Sequence, residues 1–177
     1  MTGRPQSETA RPAVYLASPL GFDEPGRHYR RDVLLPALER TGWLLLDPWA
    51  PSASVQQLER ALALPVGEAD AALRSASEVI GRHNVELLDA ADAVLAWLDG
   101  VDLDSGTAAE VGYASGRGTP VVAVRTDIRL AGDHAAARVN LQVEHFVTRT
   151  GGSLCASLEA ALAVLGSLLG QPQRPEK

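Results

Sequence analysis

The chain has 177 residues, of which 46% are hydrophobic and 21% charged, a composition that favours one compact globular domain over a disordered or fibrous chain. Its 16 lysines and arginines against 22 aspartates and glutamates give a net charge of −6, which argues against non-specific binding to nucleic acid. No apolar run is long enough to cross a bilayer, and no membrane anchor or signal peptide is expected. A single cysteine, Cys155, suits a reducing cytoplasm.

Short apolar runs alternate with longer helical patterns along the chain. The pattern predicts one domain over residues 13–169, between flexible tails at Met1–Pro12 and Gly170–Lys177. The predicted strands are Ala13–Ala17, Trp43–Leu46, Ala93–Leu98, Pro120–Arg125 and a fifth near Val143–Thr148. The predicted helices are Arg27–Arg40, a short one around Val55–Leu64, Glu68–Ala90 with a candidate break at Gly81, Thr107–Ser115 and Ser153–Leu169.

Strands of nearly continuous apolar residues, each followed by a helix, are typical of a parallel sheet that is covered on both faces. Five such units in this length predict an α/β, flavodoxin-like, doubly wound domain, in which a five-stranded parallel sheet has helices on both faces. Ligands of this fold class bind beyond the carboxyl ends of the strands. The loops to search are therefore Ser18–Gly26, the segment from Asp47 onward, Asp99–Gly106 and Thr126–Arg138.

The loop after the third strand is acidic: it carries Asp99, Asp102 and Asp104, and Glu110 follows one turn into the next helix. The spacing from Thr107 to Glu110 resembles a capping box, in which the glutamate only returns a hydrogen bond to the start of the helix. Alternatively, the helix N-terminus keeps Glu110 ionised, and the carboxylate attacks an anomeric carbon while a second acid assists the leaving group.

Metal binding is a rival use of the same loop, because Asp102 and Asp104 alternate as the ligands of Mg²⁺ or Ca²⁺ do. No EF-hand pattern follows, and the four histidines do not have the spacing of metal ligands. We therefore predict neither a metal nor a cofactor.

Three segments together resemble the nucleoside 2-deoxyribosyltransferase family. They are Tyr15-Leu16-Ala17-Ser18-Pro19 near the start, Asn84 with Asp92 before the third strand, and the stretch DSGTAAEVGYA at residues 104–114. The resemblance runs from Val14 to Phe146, and the DSGTAAEVGYA stretch is its specific part. It implies a flavodoxin-like fold and the exchange of nucleobases on 2'-deoxyribose through a covalent glycosyl-enzyme, a reaction of nucleotide salvage. The partners that it implies are a 2'-deoxynucleoside and a free nucleobase.

By position, the resemblance also implies roles for individual residues. Glu110 matches the family's nucleophile. Tyr15 matches a residue whose hydroxyl orients that glutamate, and Asp104 matches an acid that holds the deoxyribose hydroxyls. Asn140 matches a residue that a neighbouring subunit supplies to the sugar end of the site, which implies a homo-oligomer with shared active sites.

Recognition of the base is less defined. Asn84 stands where some members carry an aspartate that protonates the base. Either one of Asp92, Asp99 and Asp102 helps to protonate the base, or Asn84 only forms a hydrogen bond to it. The further candidates for substrate contact are Phe22 as a stacking surface, Trp49 after Asp47-Pro48, and Gly106 in the motif.

Two other functions are compatible with the same residues. Some relatives hydrolyse nucleoside monophosphates, and the phosphate pocket of such a hydrolase would draw on Arg27, Arg30 and Arg31, which otherwise form a solvated basic face. A non-catalytic nucleotide-sensing domain would use Glu110 as a capping residue and Asp104 as a ribose clamp.

Overall fold

The computed structural model of the protein describes residues 11–170. Five strands in this range form one sheet: β1 Ala13–Ala17, β2 Leu44–Leu46, β3 Ala93–Trp97, β4 Val121–Val124 and β5 Leu154–Cys155. The helical segments are α1 Glu24–Tyr29, the π-helical turn Arg30–Leu34, α2 Leu35–Glu39, α3 Ala53–Leu62, α4 Val66–Asp89, α5 Ser105–Arg117, α6 Leu141–Thr148 and α7 Leu158–Leu168.

The sheet is entirely parallel, with the strand order β2-β1-β3-β4-β5. This is the flavodoxin-like order, in which the winding direction reverses between β1 and β3. The α/β, doubly wound fold class predicted from the sequence is therefore confirmed. The central strands β1, β3 and β4 are buried along their whole length, which explains why they consist of apolar residues without alternation.

The two faces of the sheet pack against different helices. On one face Val14 and Leu16 lie in a cluster with residues of the first helical region and α7. On the other face Tyr15 lies in a cluster with residues of α4, α5 and α6, among them Val111 and Val143. Because successive side chains of a strand point to opposite faces, β1 directs Tyr15 toward the helix that carries Glu110.

The predicted fifth strand is wrong, because Val143–Thr148 belongs to helix α6. Val143, Phe146 and Val147 have the i, i+3, i+4 spacing of one helical face, and all three pack into the core. The true last strand, β5, has two residues and lies inside the predicted helix Ser153–Leu169, whose helical part begins only at α7. A two-residue strand is too short to show a period in the sequence.

Two predicted helices have different boundaries. The first begins at Glu24, earlier than the predicted Arg27–Arg40, and the π-helical turn interrupts it just before Pro36, which has no N–H to continue the α-helical pattern. The long helix α4 passes through Gly81 without a break. An exposed glycine inside a helix costs only about 1 kcal/mol relative to alanine, which the rest of a 24-residue helix tolerates.

The predicted tails fall almost entirely on residues 1–10 and 171–177, outside the described range. Pro12, placed in the first tail, is already attached to the sheet, because its carbonyl accepts the N–H of Leu44 at 2.8 Å. Within residues 11–170, no helix combines the length and the apolar character that a membrane span requires.

Candidate active site

A cleft of about 640 Å³ opens at the carboxyl edge of the sheet, between the loops that follow β1, β3 and β4. It lies where the strand order reverses, the position at which doubly wound sheets bind ligands. Tyr29 and Trp97 line it with ring centroids 4.9 Å apart. Its polar lining residues are Asp23, Asp99, Asp102, Asp104, Thr126, Asp127 and Arg129.

Next to the cleft, Tyr15 and Glu110 form a hydrogen-bonded pair although 95 positions separate them in the chain. The Tyr15 hydroxyl donates to Glu110 Oε1 at 2.6 Å. Burial raises the pKa of Glu110 to about 7; the hydrogen bond from Tyr15 opposes this rise and the charge of Asp104 adds to it. Burial also raises the pKa of Tyr15, with further contributions from Glu110 and Asp47. Tyr15 therefore stays protonated and Glu110 titrates near neutral pH.

Asp104 connects this pair to the cleft. It caps α5, since its Oδ2 accepts the Thr107 N–H at 2.7 Å and the Thr107 hydroxyl at 2.9 Å, while Oδ1 makes no hydrogen bond to residues 11–170. Asp104 lines the cleft, whereas Tyr15 and Glu110 do not. The capping-box alternative is thus wrong for Glu110: Asp104 caps the helix, and the Glu110 carboxylate accepts from Tyr15.

Two further acids of the loop line the cleft in different ways. Asp99 ties its loop to the loop after β4, because it accepts the Thr126 N–H and hydroxyl, both at 2.6 Å, and the Asp127 N–H at 2.8 Å. Asp102 is exposed, and among the described residues it accepts only the neighbouring Leu103 N–H, at 2.8 Å. Asp99 is therefore part of the loop framework, and Asp102 has free acceptor capacity.

The loop after β1 presents an aromatic pair. Phe22 is 70% exposed and meets Trp49 edge to face, with ring centroids 4.7 Å apart. Trp49 is fixed beneath it, since its Nε1 donates to the Ser18 carbonyl at 2.8 Å and its ring fills the space beside Gly21, where a Cβ would come within 2.1 Å. The open face of Phe22 is available to a flat ligand.

The charge of the cleft is strongly negative. Within residues 11–170 its lining contains five carboxylates and one guanidinium, that of Arg129, which is itself paired with Asp127. Arg27, Arg30 and Arg31 do not line it. Arg27 donates to the backbone of the β1 loop, Arg30 pairs with Asp47, and Arg31 with Asp32. In the described part of the chain, the cleft included, no three His, Cys, Asp or Glu side chains converge as a metal site would require.

A sequence profile of the nucleoside 2-deoxyribosyltransferases matches residues 14–150, more than three quarters of the chain. The chain belongs to this family. Among curated protein sequences, none matches the chain significantly.

Three solved structures are similar to this chain. A conserved protein from Enterococcus faecalis V583 is 25% identical, with a TM-score of 0.67, over 89% of this chain and 99% of that one. A 2-deoxyribosyltransferase from Bacillus psychrosaccharolyticus is 20% identical, with a TM-score of 0.52, over 76% of this chain and 82% of that one. A CMP N-glycosidase from Clostridium botulinum is 15% identical, with a TM-score of 0.45, over 88% of this chain and 98% of that one.

Three residues that family resemblance singled out make no hydrogen bond to Tyr15 or Glu110. Asp92 is at the amino edge of the sheet, where its Oδ2 accepts the Ala13 N–H at 2.8 Å. The five residues of β3, about 17 Å at roughly 3.3 Å per residue, separate it from the carboxyl edge. This position does not fit a role at the base, and the carboxylate serves to join β3 to β1.

The two asparagines are placed differently. Asn84 lies on α4, and its buried Oδ1 has no hydrogen-bond partner among the described residues. Asn140 was predicted to precede a strand but caps α6: its Oδ1 accepts the N–H groups of Gln142 and Val143, and its Nδ2 donates to Asp133. Gly106 sits in the first turn of α5, where a Cβ would come 3.2 Å from the Asp104 carboxylate.

Sequence reasoning missed Arg125, which follows β4 at the edge of the cleft. The side chain is fully buried and donates to the carbonyls of Leu98, Gly100 (3.2 Å) and Arg129 (2.9 Å). It thereby holds the acidic loop and the loop after β4 together. The available signal was an arginine directly after the apolar run Val121–Val124, because a charge in that place is buried only when it has partners.

Proposed function

We propose that the protein is a nucleoside 2-deoxyribosyltransferase, which moves 2'-deoxyribose between nucleobases through a covalent intermediate on Glu110. The observation that carries the proposal is the 2.6 Å hydrogen bond from Tyr15 to Glu110, in a partly buried position beside Asp104. Family membership gives the class of reaction. The hydrogen bond supports a nucleophile that is fixed in orientation before substrate binds.

The reaction proceeds in two displacements. An oxygen of ionised Glu110 forms a bond to C1' of the donor, and the bond from C1' to the base nitrogen breaks, with its electron pair leaving on the base. That base takes up a proton from an acid of the site or from water. A nitrogen of the incoming base then attacks C1', releases Glu110 as a carboxylate and loses its N–H proton to solvent. Two inversions at C1' retain the configuration.

The surroundings of Glu110 suit this role. With a pKa of about 7, a large fraction of Glu110 is ionised at neutral pH, and its Oε1 is occupied by the Tyr15 hydroxyl. The other oxygen is left for attack. Asp104 Oδ1, which has no partner in residues 11–170, can accept a sugar hydroxyl next to the nucleophile. Phe22 offers its exposed face for stacking, while Asn84, Asp99 and Asp102 remain the candidates for recognising or protonating the base.

The negative cleft favours an uncharged nucleoside over a nucleotide. A phosphate group would meet five carboxylates and a guanidinium already paired with Asp127. The arginines that a nucleotide hydrolase would draw on are engaged with Asp47, Asp32 or the backbone. This charge distribution supports nucleoside exchange, with the monophosphate hydrolase as the alternative that the experiment must separate.

The deciding experiment incubates the protein with deoxyinosine, with and without free adenine. Formation of deoxyadenosine supports the transferase. Release of hypoxanthine with no deoxyadenosine indicates a hydrolase, and binding without turnover indicates a nucleotide sensor. Glu110→Ala should abolish turnover, with Glu59→Ala, at an exposed position on α3, as the matched control. Residual activity within about tenfold of wild type would exclude Glu110 as the nucleophile.

A trapping experiment tests the covalent intermediate directly. A 2-fluoro-substituted deoxynucleoside slows both displacements because fluorine disfavours the oxocarbenium-like transition state. Mass spectrometry should then find the glycosyl group on the peptide that contains Glu110. Absence of this adduct in an enzyme that turns over deoxyinosine would contradict the double displacement.

We further propose a homo-oligomer whose subunits share active sites, with Asn140 of the partner subunit reaching the sugar. Asn140 is exposed at the start of α6, and the loop that precedes it leaves the carboxyl edge after β4. An interface there would exclude water from the glycosyl-enzyme, which transfer to a base requires.

A further inference from the structure

The first turn of α5 holds the carboxylate of Asp104 in one orientation. Its Oδ2 accepts two hydrogen bonds from a single residue, the Thr107 N–H at 2.7 Å and the Thr107 hydroxyl at 2.9 Å. Gly106 leaves room on the same side, because a Cβ there would come 3.2 Å from Oδ2. Oδ1 has no hydrogen-bond partner in residues 11–170. One oxygen is therefore fixed to the helix, and the other is left for a ligand of the cleft, which Asp104 lines.

The bond from the Thr107 hydroxyl is more than a helix cap needs. In residues 11–170, four other helices begin with a side-chain cap, and the residue three positions after each cap donates only its N–H: Gly26, Val55, Val143 and Ala160. Thr107 adds a hydroxyl to its N–H, although its side chain is only 2% exposed. The terminal torsion of an aspartate is broad, so a carboxylate held by one bond can turn about it. The second bond fixes that rotation.

We propose that Thr107 is a positioning residue: its hydroxyl fixes the rotation of the Asp104 carboxylate, so that Oδ1 accepts a hydroxyl of the deoxyribose next to Glu110. The part of Asp104 in binding the sugar rests on the proposed function. The hydrogen bonds between Thr107 and Asp104 do not depend on it.

The physical reason is that an acceptor already in place does not have to be ordered when the sugar binds. Complete loss of a hydrogen bond to a charged group lowers affinity about ten- to a hundredfold. Thr107→Val removes the hydroxyl but keeps the N–H that Asp104 accepts, so it misdirects the acceptor without removing it. We expect it to weaken binding of a 2'-deoxynucleoside by about three- to tenfold. Thr107→Ser restores the hydroxyl and should recover most of the affinity.

The test compares three ligands: 2'-deoxyinosine and its analogues 2',3'-dideoxyinosine and 2',5'-dideoxyinosine, each of which lacks one hydroxyl. Calorimetry gives their dissociation constants in a Glu110→Gln background, which binds without turnover. Thr107→Val should weaken deoxyinosine but not the analogue without the hydroxyl that Asp104 accepts, because the orientation of Oδ1 then no longer matters. Ser77→Ala, which removes an exposed hydroxyl that donates to the Leu73 carbonyl on α4, is the control.

Each outcome decides the proposal. A loss of affinity that persists with both analogues would mark Thr107 as a merely structural residue and overturn the proposal. Unchanged binding of deoxyinosine by Thr107→Val would overturn it too, and so would an equal loss in Thr107→Ser. If Thr107→Val does not fold, Thr107→Ala carries the same expectation, since it also keeps the N–H.

The proposed function is decided separately, by base exchange in the wild-type protein. If exchange is absent but the contrast between the analogues is found, the transferase is excluded and the positioning role of Thr107 stands. If exchange occurs without that contrast, the transferase stands and the role of Thr107 falls. Failure of wild type and Glu110→Gln alike to bind deoxyinosine would overturn both. In an active enzyme, kcat/KM for the three donors should show the same contrast as the dissociation constants.

Discussion

Burying Glu110 lowers the stability of the folded protein at alkaline pH, and a Glu110→Gln variant measures by how much. Burial raises the pKa of this carboxyl from 4.5 to about 7. Between these pH values the folded chain keeps a proton that the unfolded chain releases, so the free energy of unfolding falls as the pH rises. At roughly 1.4 kcal/mol per pKa unit, the total loss is about 3 kcal/mol and is complete above pH 7 or so.

Glutamine is neutral, has nearly the shape of protonated glutamate, and can still accept the Tyr15 hydroxyl through its carbonyl. Variant and wild type should therefore unfold with similar free energies near pH 4, below the unfolded pKa of 4.5. At pH 8 the variant should be more stable by up to about 3 kcal/mol. Urea unfolding followed by circular dichroism at both pH values gives the two differences, with Glu59→Gln, at an exposed position on α3, as control. The same difference at both pH values would refute the argument that burial destabilises ionised Glu110.

Two further predictions concern the site. Tyr15→Phe removes the hydrogen bond that lowers the pKa of Glu110, so that pKa should rise by about one to two units, and kcat/KM at pH 7 should fall about tenfold or more and recover at alkaline pH. A loss that is the same at every pH would contradict this cause. Asn140→Ser keeps an oxygen that caps α6 but removes the amide, so mixing this variant with Glu110→Ala should restore activity through hybrid sites. A fully active monomer would refute shared sites.

The sequence predicts well those elements whose residue pattern is set by a single physical factor. The strands β1, β3 and β4 are predicted because burial on both faces leaves continuous apolar runs. The last strand escapes prediction because two residues carry no periodicity, while the β-branched residues of α6 imitate a strand. The strand propensity of these residues is outweighed by the helical spacing of Val143 and Val147, which packs α6 on the sheet.

The candidate site divides in a similar way. The acidic loop and Glu110 are visible in the sequence because they adjoin each other at the end of a strand. The contact between Tyr15 and Glu110 follows only when the sheet brings distant segments together, and the resemblance to a family supplied it in advance. The predicted strand Ala93–Leu98 already places Asp92 at the amino edge, so its suggested part in protonating the base came from the family resemblance and not from its position. The pairing of Arg30 with Asp47 depends on the π-helical turn, which has no sequence signature.

The buried guanidinium of Arg125 has a consequence for how substrate preference can evolve. It fastens the backbone of the loop after β3 to that of the loop after β4, and Asp99 adds a second set of bonds between them. Within residues 11–170, no hydrogen bond ties the loop after β1, which presents Phe22, to either of these two. One wall of the cleft is thus constrained as a unit, so substitution of Arg125 or Asp99 disturbs several contacts at once. On the opposite wall the backbone is held by Trp49 and Arg27, but the side chain of Phe22 is 70% exposed, so mutations that alter the range of bases accepted in the proposed reaction should accumulate at this position.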